Sequence, residues 1–170
     1  MTRLRTANLL AALAADISEH VQDELKTHPN QTDSSIAALN VMSFWEGITN
    51  SELAKALKLS HTATVRLVDK LEAQGLVEAR GGEDLRATYL HLTAAGAKAV
   101  QPALTARCVA AEGYLSALTP SEEKQFTALL EKMIRPLATD DVAVVHFCRL
   151  CDFTSCEPDK CPMHTGDAQT

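Results

Sequence analysis

The segment that decides the fold runs from Thr49 to Arg80 and reads TNSELAKALKLSHTATVRLVDKLEAQGLVEAR. Thr49 and Glu52 have the spacing of a capping box, in which each side chain accepts a hydrogen bond from a free backbone N–H at a helix start. Leucine and alanine then recur on one face, which predicts a first short helix from about Asn50 to Lys58. Ser60 can cap a second helix directly afterwards.

The predicted second helix has an apolar side and a polar, cationic side. The residues expected to face the core are Ala63, Val65, Leu67, Val68 and Leu71. The residues expected on or near the outer face are His61, Thr62, Thr64, Arg66 and Lys70. Arginine can form a bidentate contact with guanine, and threonine can contact a base acceptor or a thymine methyl group. With Ser60 at its start, this helix is our candidate for reading the DNA major groove. The alternative is a solvated outer face on an ordinary small helical domain.

Two short runs of strand-like composition follow, from Val77 to Arg80 and from Ala87 to Leu92. Gly75 stands between the helix and the first run, where a left-handed residue commonly ends a helix. The loop between the runs is longer than a minimal hairpin turn and carries Arg86. We expect this hairpin to be a wing that places Arg86 in the narrow minor groove, whose negative potential attracts a cation.

The helix pair and the hairpin together resemble the MarR family of winged-helix transcriptional regulators. The resemblance is carried by LAKALKLSHTATVRLVDKLEAQGLVEAR, by the wing signature Asp84-Leu85-Arg86 and by YLHLTAAG, and it covers roughly residues 4–137. It implies a mostly α fold with a small β-hairpin wing, which Asp84 orients. It also implies a two-fold homodimer on double-stranded DNA, at a pseudo-palindromic operator with half-sites about one helical turn apart. A small-molecule effector is a further implication.

The net charge of −6 argues superficially against a nucleic-acid partner. However, phosphate contacts act only within a Debye length of roughly 8–10 Å, so the local distribution decides. Six cations lie in the predicted reading segment and wing: Lys55, Lys58, Arg66, Lys70, Arg80 and Arg86. Acidic residues such as Asp69 are interspersed with them. We therefore expect modest affinity per monomer and dependence on a dimer.

The flanking sequence predicts long helices on both sides of the reading segment. A leucine-rich stripe repeats from Leu4 to Lys26, a second helix runs from about Asp33 to Phe44, and helices follow over Ala94–Leu118 and from Pro120 towards Leu137. We divide the chain into an N-terminal dimerisation helix (1–32), a winged helix-turn-helix (33–97), C-terminal dimerisation helices (98–139) and a cysteine-rich tail (140–170). Apolar stripes without a partner in their own subunit predict a homodimer, although packing within one subunit would also account for them. No stretch reaches the roughly 18 apolar residues of a membrane span, and we expect a cytoplasmic protein.

The tail departs from the family pattern. Cys148, Cys151, Cys156 and Cys161 have the spacing C-x2-C-x4-C-x4-C-P. Four thiolates on a short, turn-rich segment can surround one metal ion, with zinc–sulfur distances of about 2.3 Å. The spacing is similar to that of a retroviral zinc knuckle but lacks its glycines, and the cluster also resembles iron–sulfur ligation. Zinc and an iron–sulfur cluster both remain open, and without metal Cys148 and Cys151 could form a reversible disulfide.

The remaining candidates are weaker. His20, Phe44, Trp45 and Arg107 are residues able to line an effector site, but ordinary packing explains each of them equally well. A lone Cys108 is expected to be a small buried apolar residue. No catalytic motif is present, and the histidines are scattered, so we do not expect an enzyme. We expect a homodimeric transcriptional regulator, and specifically a repressor, modulated by the tail. The alternative is an RNA- or protein-binding adaptor that uses its zinc-knuckle-like tail.

Overall fold

The computed structural model describes residues 2–26, 32–81, 88–155 and 160–163. In order, its elements are α1 (Arg3–Leu25), α2 (Asp33–Phe44), β1 (Ile48–Thr49), α3 (Asn50–Leu57), α4 (His61–Ala73), β2 (Val77–Gly81), β3 (Thr88–Leu92), α5 (Ala94–Leu115), α6 (Pro120–Ile134), a 3-10 turn (Arg135–Leu137) and α7 (Asp141–Cys148). The predicted class, mostly α with a small β-hairpin, is confirmed. Within the described ranges, no helix has the length and apolar character needed to cross a membrane.

The helix starts follow the capping signals in the sequence. At α3 the Glu52 N–H donates to Thr49 Oγ1 at 3.3 Å, and the Thr49 N–H donates to Glu52 Oε2 at 2.8 Å. The same reciprocal pair of bonds starts α6 at Thr119. Ser60 and Thr93 cap α4 and α5 by accepting from backbone N–H groups at 3.2 and 3.0 Å. Each cap satisfies donors that a helix start otherwise leaves without a partner.

The sheet is antiparallel and has the strand order β1-β3-β2. The predicted hairpin is confirmed, with Val77 opposite Leu92 and Gly81 opposite Thr88. The strand β1, which places Ile48 opposite Leu90, was not predicted, because two residues are too few to show a period. The loop that joins β2 to β3, including Asp84 and Arg86, lies outside the described residues.

Helix α2 forms the centre of the core. Its Ile36, Leu39 and Val41 are completely buried, and they pack with a cluster that includes Leu53 of α3 and Leu71 of α4. The strands add Ile48, Val77 and Leu90, the C-terminal half of α1 adds Val21 and Leu25, and α5 adds Val100 and Leu104. This core fixes α3 and α4 relative to each other and to the base of the wing.

The start of α5 packs very closely against Gly75 and Leu76, which lie in the connection from α4 to β2. A Cβ atom on Gly96 would lie 2.1 Å from the carbonyl oxygen of Leu76, so only glycine fits there. The Thr93 N–H donates to that carbonyl at 3.1 Å, and the Thr93 hydroxyl donates to the carbonyl of Gly75 at 2.8 Å. Gly75 has the predicted left-handed conformation, with a φ of 69°. These contacts connect the reading helix to the base of the wing.

Two features of the outer parts of the chain bear on the sequence predictions. The residues before the cysteine segment form a helix, α7, which was not predicted and which contacts α3. The long stripe of α1 is only partly packed, since Leu9 and Leu13 remain exposed while Val21 and Leu25 are buried. The N-terminal half of α1 therefore has an apolar surface that the described residues do not cover.

Candidate nucleic-acid interface

The turn between α3 and α4 is tightly built. Lys58 adopts a left-handed conformation (φ 53°) at the end of α3, and the Leu59 N–H donates to the carbonyl of Ala54 at 3.0 Å. Ser60 then begins α4 by capping it. Three residues thus connect α3 to α4, as in a helix-turn-helix.

The outer face of α4 presents most of the predicted residues to solvent. His61, Thr62, Arg66 and Lys70 are all exposed, and the last three follow one another at four-residue intervals along one side of the helix. Ser60 is exposed at the helix start as well. The prediction that Ala63 faces the core is wrong, because Ala63 is also exposed in the first turn of α4. The face therefore combines a hydroxyl, a methyl group, a guanidinium and an ammonium group.

The assignment of Thr64 to the outer face is wrong. Thr64 is 0% exposed, and its hydroxyl donates to the carbonyl oxygen of Ser60 at 3.1 Å. The reason is helical periodicity: Thr64 shares its face with Val68 and Leu71, which are both buried. A hydroxyl in this position can be buried because the helix's own carbonyl accepts its proton. Thr64 therefore contributes to the core and not to a base contact.

The charge around the face is mixed. Lys55 and Lys58 are exposed on α3 beside the exposed cations of α4, but Asp69 is exposed on α4 too. Arg80 forms an ion pair with Glu78 on β2. Asp84 and Arg86, predicted to act in the wing, lie outside the described residues, so their roles stay predictions.

A hydrogen bond ties the base of the wing to the reading helix. Glu72, in the last turn of α4, accepts the backbone N–H of Ala79 on β2 through its Oε1 at 2.8 Å. Because Ala79 is paired with Leu90 of β3, the contact positions the whole hairpin base. Helix α4 and the wing base are therefore held in a fixed relation.

The cysteine tail is described in part. Cys148 ends α7 and is buried, Cys151 is half-buried, and the Cys151 N–H closes the turn between them by donating to the Cys148 carbonyl at 2.9 Å. The two thiols are hydrogen-bonded to each other, and this contact, followed by burial, raises the pKa of Cys151. Cys161 is half-buried, whereas Cys156 lies outside the described residues. Within residues 148–155 and 160–163, no three metal-ligating side chains come together, so the metal assignment stays a prediction.

Two contacts that the sequence did not reveal hold the tail on the winged helix. The buried Asn40 side chain of α2 donates to the carbonyl oxygens of Cys148, Arg149 and Cys151 at 3.4, 3.2 and 3.0 Å. His146 Nδ1 of α7 lies 2.8 Å from the carbonyl oxygen of Ala56 in α3. Asn40 is the polar residue in the otherwise apolar run from Ile36 to Met42. That position was the one feature of the sequence that could have indicated a buried side chain in need of hydrogen-bond partners.

The remaining sequence candidates do not form one site. Phe44 packs edge-on against Phe153, His20 packs edge-on against Tyr114, and Arg107 forms an ion pair with Asp33 at 2.9 Å. A shallow groove of about 620 Å³ lies along α5 and the end of α1, but none of the four effector candidates lines it.

The expectation that Cys108 is a buried apolar residue is wrong, because it lies exposed on α5. Partial burial of its thiol raises its pKa, while a hydrogen bond with Ser155 of the tail acts in the opposite direction. Cys108 therefore faces the tail and is not part of the core.

The fold and the exposed face of α4 define a winged helix-turn-helix domain. Residues 32–87 match the family model described as MarR family. The chain is 29% identical over 86 residues to an uncharacterized HTH-type transcriptional regulator, YwhA, of Bacillus subtilis (strain 168). That match covers 50% of this chain and 62% of the relative, which is less than two thirds of its length.

Solved structures share the fold over most of the chain. A mutant of MepR from S. aureus superposes with a TM-score of 0.70 at 22% identity, covering 81% of this chain and 99% of that one. YusO of Bacillus subtilis gives a TM-score of 0.68 at 21% identity, covering 79% and 99%. A MepR mutant bound to an oligodeoxyribonucleotide gives 0.57 at 21% identity, covering 78% and 97%. The fold thus extends beyond the winged helix to the helices around it.

Proposed function

We propose that the protein is a transcriptional regulator of the MarR type that binds specific double-stranded DNA and represses transcription. The observation that carries this proposal is the row Thr62, Arg66 and Lys70, exposed together on α4 and braced by α3. A helix of this width fits the major groove, where side chains near its N-terminus reach base edges. The oligodeoxyribonucleotide bound to the MepR mutant, which has this fold, supports the same use.

The residues have separate roles in this proposal. Arg66 makes a bidentate contact with guanine, and Thr62 contacts a base acceptor or a thymine methyl group. Ser60 and His61 lie at the helix start, where backbone N–H groups also favour a phosphate. Lys70 contacts the phosphate backbone, which positions the helix without reading sequence. Arg86, on the sequence pattern alone, reaches the minor groove from the wing.

The active species in this proposal is a homodimer. Helix α6 has 15 residues and no buried residue within this chain, although Leu129 and Met133 are apolar and exposed. The N-terminal half of α1 is similarly uncovered, with Leu9 and Leu13 exposed. A second copy would cover both faces and place two α4 helices on a two-fold axis, as the resemblance to the family implies.

The tail modulates the regulator through a thiophilic metal bound by Cys148, Cys151, Cys156 and Cys161. The support is the turn from Cys148 to Cys151, whose two thiols already touch. Zinc and an iron–sulfur cluster are both compatible with four thiolates. A small-molecule effector stays an expectation from the family resemblance.

The test is to select duplexes from a random pool with the full-length protein and to measure their binding to variants. Arg66→Ala should weaken the selected duplex by roughly ten- to 150-fold, which is about 1–3 kcal/mol for a bidentate base contact, and should relax the preferred sequence. Lys124→Ala, an exposed cation on α6, is the control and should leave the preference unchanged. If Arg66→Ala bound the selected duplex as tightly as Lys124→Ala does, the adaptor function would be favoured over the regulator function.

A further inference from the structure

We propose that α7 and residues 149–154, which follow it, form a strap that joins α5 to α3 and holds the helix-turn-helix in the position that it needs in the groove. This inference rests on the proposed function and names a device that prepares the same site for DNA. The strap is attached to α3 through His146 and to α5 through Asp152. His146 is then a positioning residue, because it acts on the reading helix through α3 and not on DNA itself.

The first attachment lies at the end of α3, at Ala56, two residues before the left-handed Lys58. The last carbonyls of a helix have no partner within it, so other groups must satisfy them. The carbonyl oxygen of Ala56 lies 2.8 Å from His146 Nδ1, and this hydrogen bond requires the tautomer with a proton on Nδ1. Ala56 is only 2% exposed, so loss of the histidine leaves a carbonyl that water reaches poorly.

The second attachment lies on α5. Gln101 donates through its Nε2 to Asp152 Oδ1 at 3.1 Å, although 51 positions separate the two residues. Asp152 is 6% exposed, and the same oxygen accepts the N–H of Thr154 at 3.0 Å and its hydroxyl at 2.6 Å. A buried carboxylate needs such donors, so this turn is held against α5. Phe153, within the turn, packs edge-on against Phe44 of α2 with ring centroids 5.0 Å apart.

Between its two attachments the strap is internally hydrogen-bonded and anchored to the core. The Arg149 guanidinium donates to the carbonyl oxygen of His146. The Cys151 N–H closes the next turn by donating to the Cys148 carbonyl at 2.9 Å. Asn40 of α2, which is 2% exposed, donates to the Cys151 carbonyl at 3.0 Å. These contacts resist bending of the strap, so a shift at one end is passed to the other.

The strap adds a second connection between α3 and α5. Both helices pack against α2, which is their first connection. With the strap in place, α3 cannot move relative to α5 without disturbing the hydrogen bond at Ala56 or the one at Asp152. Because α4 packs on α3 and α5 leads to α6, the strap holds the reading helix in a fixed relation to the helices of the proposed dimer. Less of the binding free energy is then needed to order the helix-turn-helix.

The experiment uses the full-length protein and the duplex selected above, with variants at both ends of the strap. His146→Ala and Gln101→Ala should each weaken binding to the duplex about two- to tenfold, the effect of one net hydrogen bond, and leave the preferred sequence unchanged. The double variant should bind about as weakly as either single variant, because a strap released at one end no longer acts at the other.

Two further variants separate the strap from a local loss of contacts. His146→Asn keeps an N–H donor near the Nδ1 position and should recover much of the affinity that His146→Ala loses. Lys98→Ala, at an exposed position on α5 one turn before Gln101, is the control. Any effect of Lys98→Ala on affinity should simply add to that of His146→Ala.

Amide hydrogen exchange at Leu59 gives a readout that does not depend on DNA. Leu59 lies in the turn between α3 and α4, and its N–H donates to the carbonyl of Ala54 at 3.0 Å. Gln101→Ala, made at the opposite end of the strap, should speed exchange at Leu59, whereas Lys98→Ala should not. An effect at this distance is not expected if the two attachments are separate structural contacts.

Two results would overturn the strap. One is exchange at Leu59 that is the same in Gln101→Ala and Lys98→Ala, and the other is additive effects of His146→Ala and Gln101→Ala on affinity. Specific duplex binding that neither strap variant changes would leave the proposed function standing and overturn the strap. Faster exchange in Gln101→Ala, in a protein that selects no specific duplex, would support the strap and refute the proposed function.

Discussion

The side-chain nitrogen of Asn40 lies 3.0 Å from the carbonyl oxygen of Cys151, although 111 positions separate the two residues in the sequence. A residue at the centre of the winged-helix core therefore depends on the tail for its hydrogen bonds. Its neighbours Leu39 and Val41 are completely buried and apolar. The turn from Cys148 to Cys151 is accordingly attached to the folded core, and changes in either partner should affect both.

Replacement of Asn40 should destabilise the whole protein. Asn40→Ala removes the amide group that three carbonyls share and leaves the partly buried carbonyls of Arg149 and Cys151 without this donor, which we expect to cost about 2–3 kcal/mol of unfolding free energy. Urea denaturation followed by circular dichroism measures the change. Ser51→Ala, at an exposed position in the first turn of α3, is the control and should change stability by less than about 0.5 kcal/mol. Equal effects of the two variants would contradict the importance of the tail contact.

Gly96 offers a test of the junction between the reading helix and α5. Gly96→Ala would place a Cβ 2.1 Å from the Leu76 carbonyl oxygen, a backbone atom that cannot simply rotate away. We expect a loss of about 1–3 kcal/mol or more, visible as a lower melting temperature. In the same helix, nothing lies within 4 Å of a Cβ on Gly113, so Gly113→Ala should stabilise the protein by about 0.5–1 kcal/mol. The two glycine-to-alanine substitutions should therefore change the melting temperature in opposite directions.

Thr62 and Thr64 provide a matched pair on α4. Thr62→Ala should reduce affinity for the selected duplex by about ten-fold, or roughly 1.4 kcal/mol, with an unchanged melting temperature, because Thr62 is exposed. Thr64→Ala should lower stability by about 1–2 kcal/mol with little change in the preferred sequence, because Thr64 is buried. Titration of each variant with duplex, together with thermal denaturation, separates the two effects. If Thr64→Ala reduced affinity and Thr62→Ala reduced stability, the proposed DNA-contacting face of α4 would be wrong.

Metal uptake should depend on the tail cysteines and not on Cys108. Cys151→Ser should lose stoichiometric metal, measured by elemental analysis, whereas Cys108→Ser should retain it. A brown solution with visible absorption identifies an iron–sulfur cluster, and a colourless solution with stoichiometric zinc identifies a zinc site. Equal metal uptake by Cys151→Ser and Cys108→Ser would contradict a metal site in the tail.

The capping box of α3 should contribute to stability in a pH-dependent way. The backbone N–H and hydroxyl of Thr49 donate to Glu52 and lower its pKa below the ordinary value of 4.5. In the unfolded chain Glu52 takes up a proton more readily, so its contribution is present above about pH 4.5 and is lost as the pH falls through the lowered pKa. Urea midpoints of wild type and Glu52→Gln should therefore converge as the pH is lowered. A constant difference between them would contradict this assignment.

Local signals predicted the helix starts and the hairpin because the responsible groups are close in sequence. Thr49, Ser60, Thr93 and Thr119 each cap a helix by contacting a residue three positions later. The position of Thr64 was also available from the sequence, since it is spaced four and seven residues from Val68 and Leu71. Its hydroxyl was mistaken for a surface group, because a bond to the helix's own carbonyl allows a threonine to be buried.

Contacts between distant parts of the chain were not predictable from periodicity. His146 and Ala56 are 90 positions apart, and neither residue type indicates the other. The expected homodimer depends on a second copy of the chain, and the expected metal site depends on a metal ion. The sequence of one chain can therefore indicate candidate residues for both, but not their contacts. Helix α7 was not predicted because its eight residues are too few to show a clear helical period.

The bond between Glu72 and Ala79 has a consequence for how an operator would be read. The bond holds the wing base on α4, so in the proposed homodimer each copy would present these two elements to its half-site together. A signal that changed the packing of α1 or α6 between the two proposed copies would then alter the distance between their α4 helices without changing the bases that either helix prefers. The half-site spacing and the half-site sequence that the proposed dimer prefers could therefore change independently of each other.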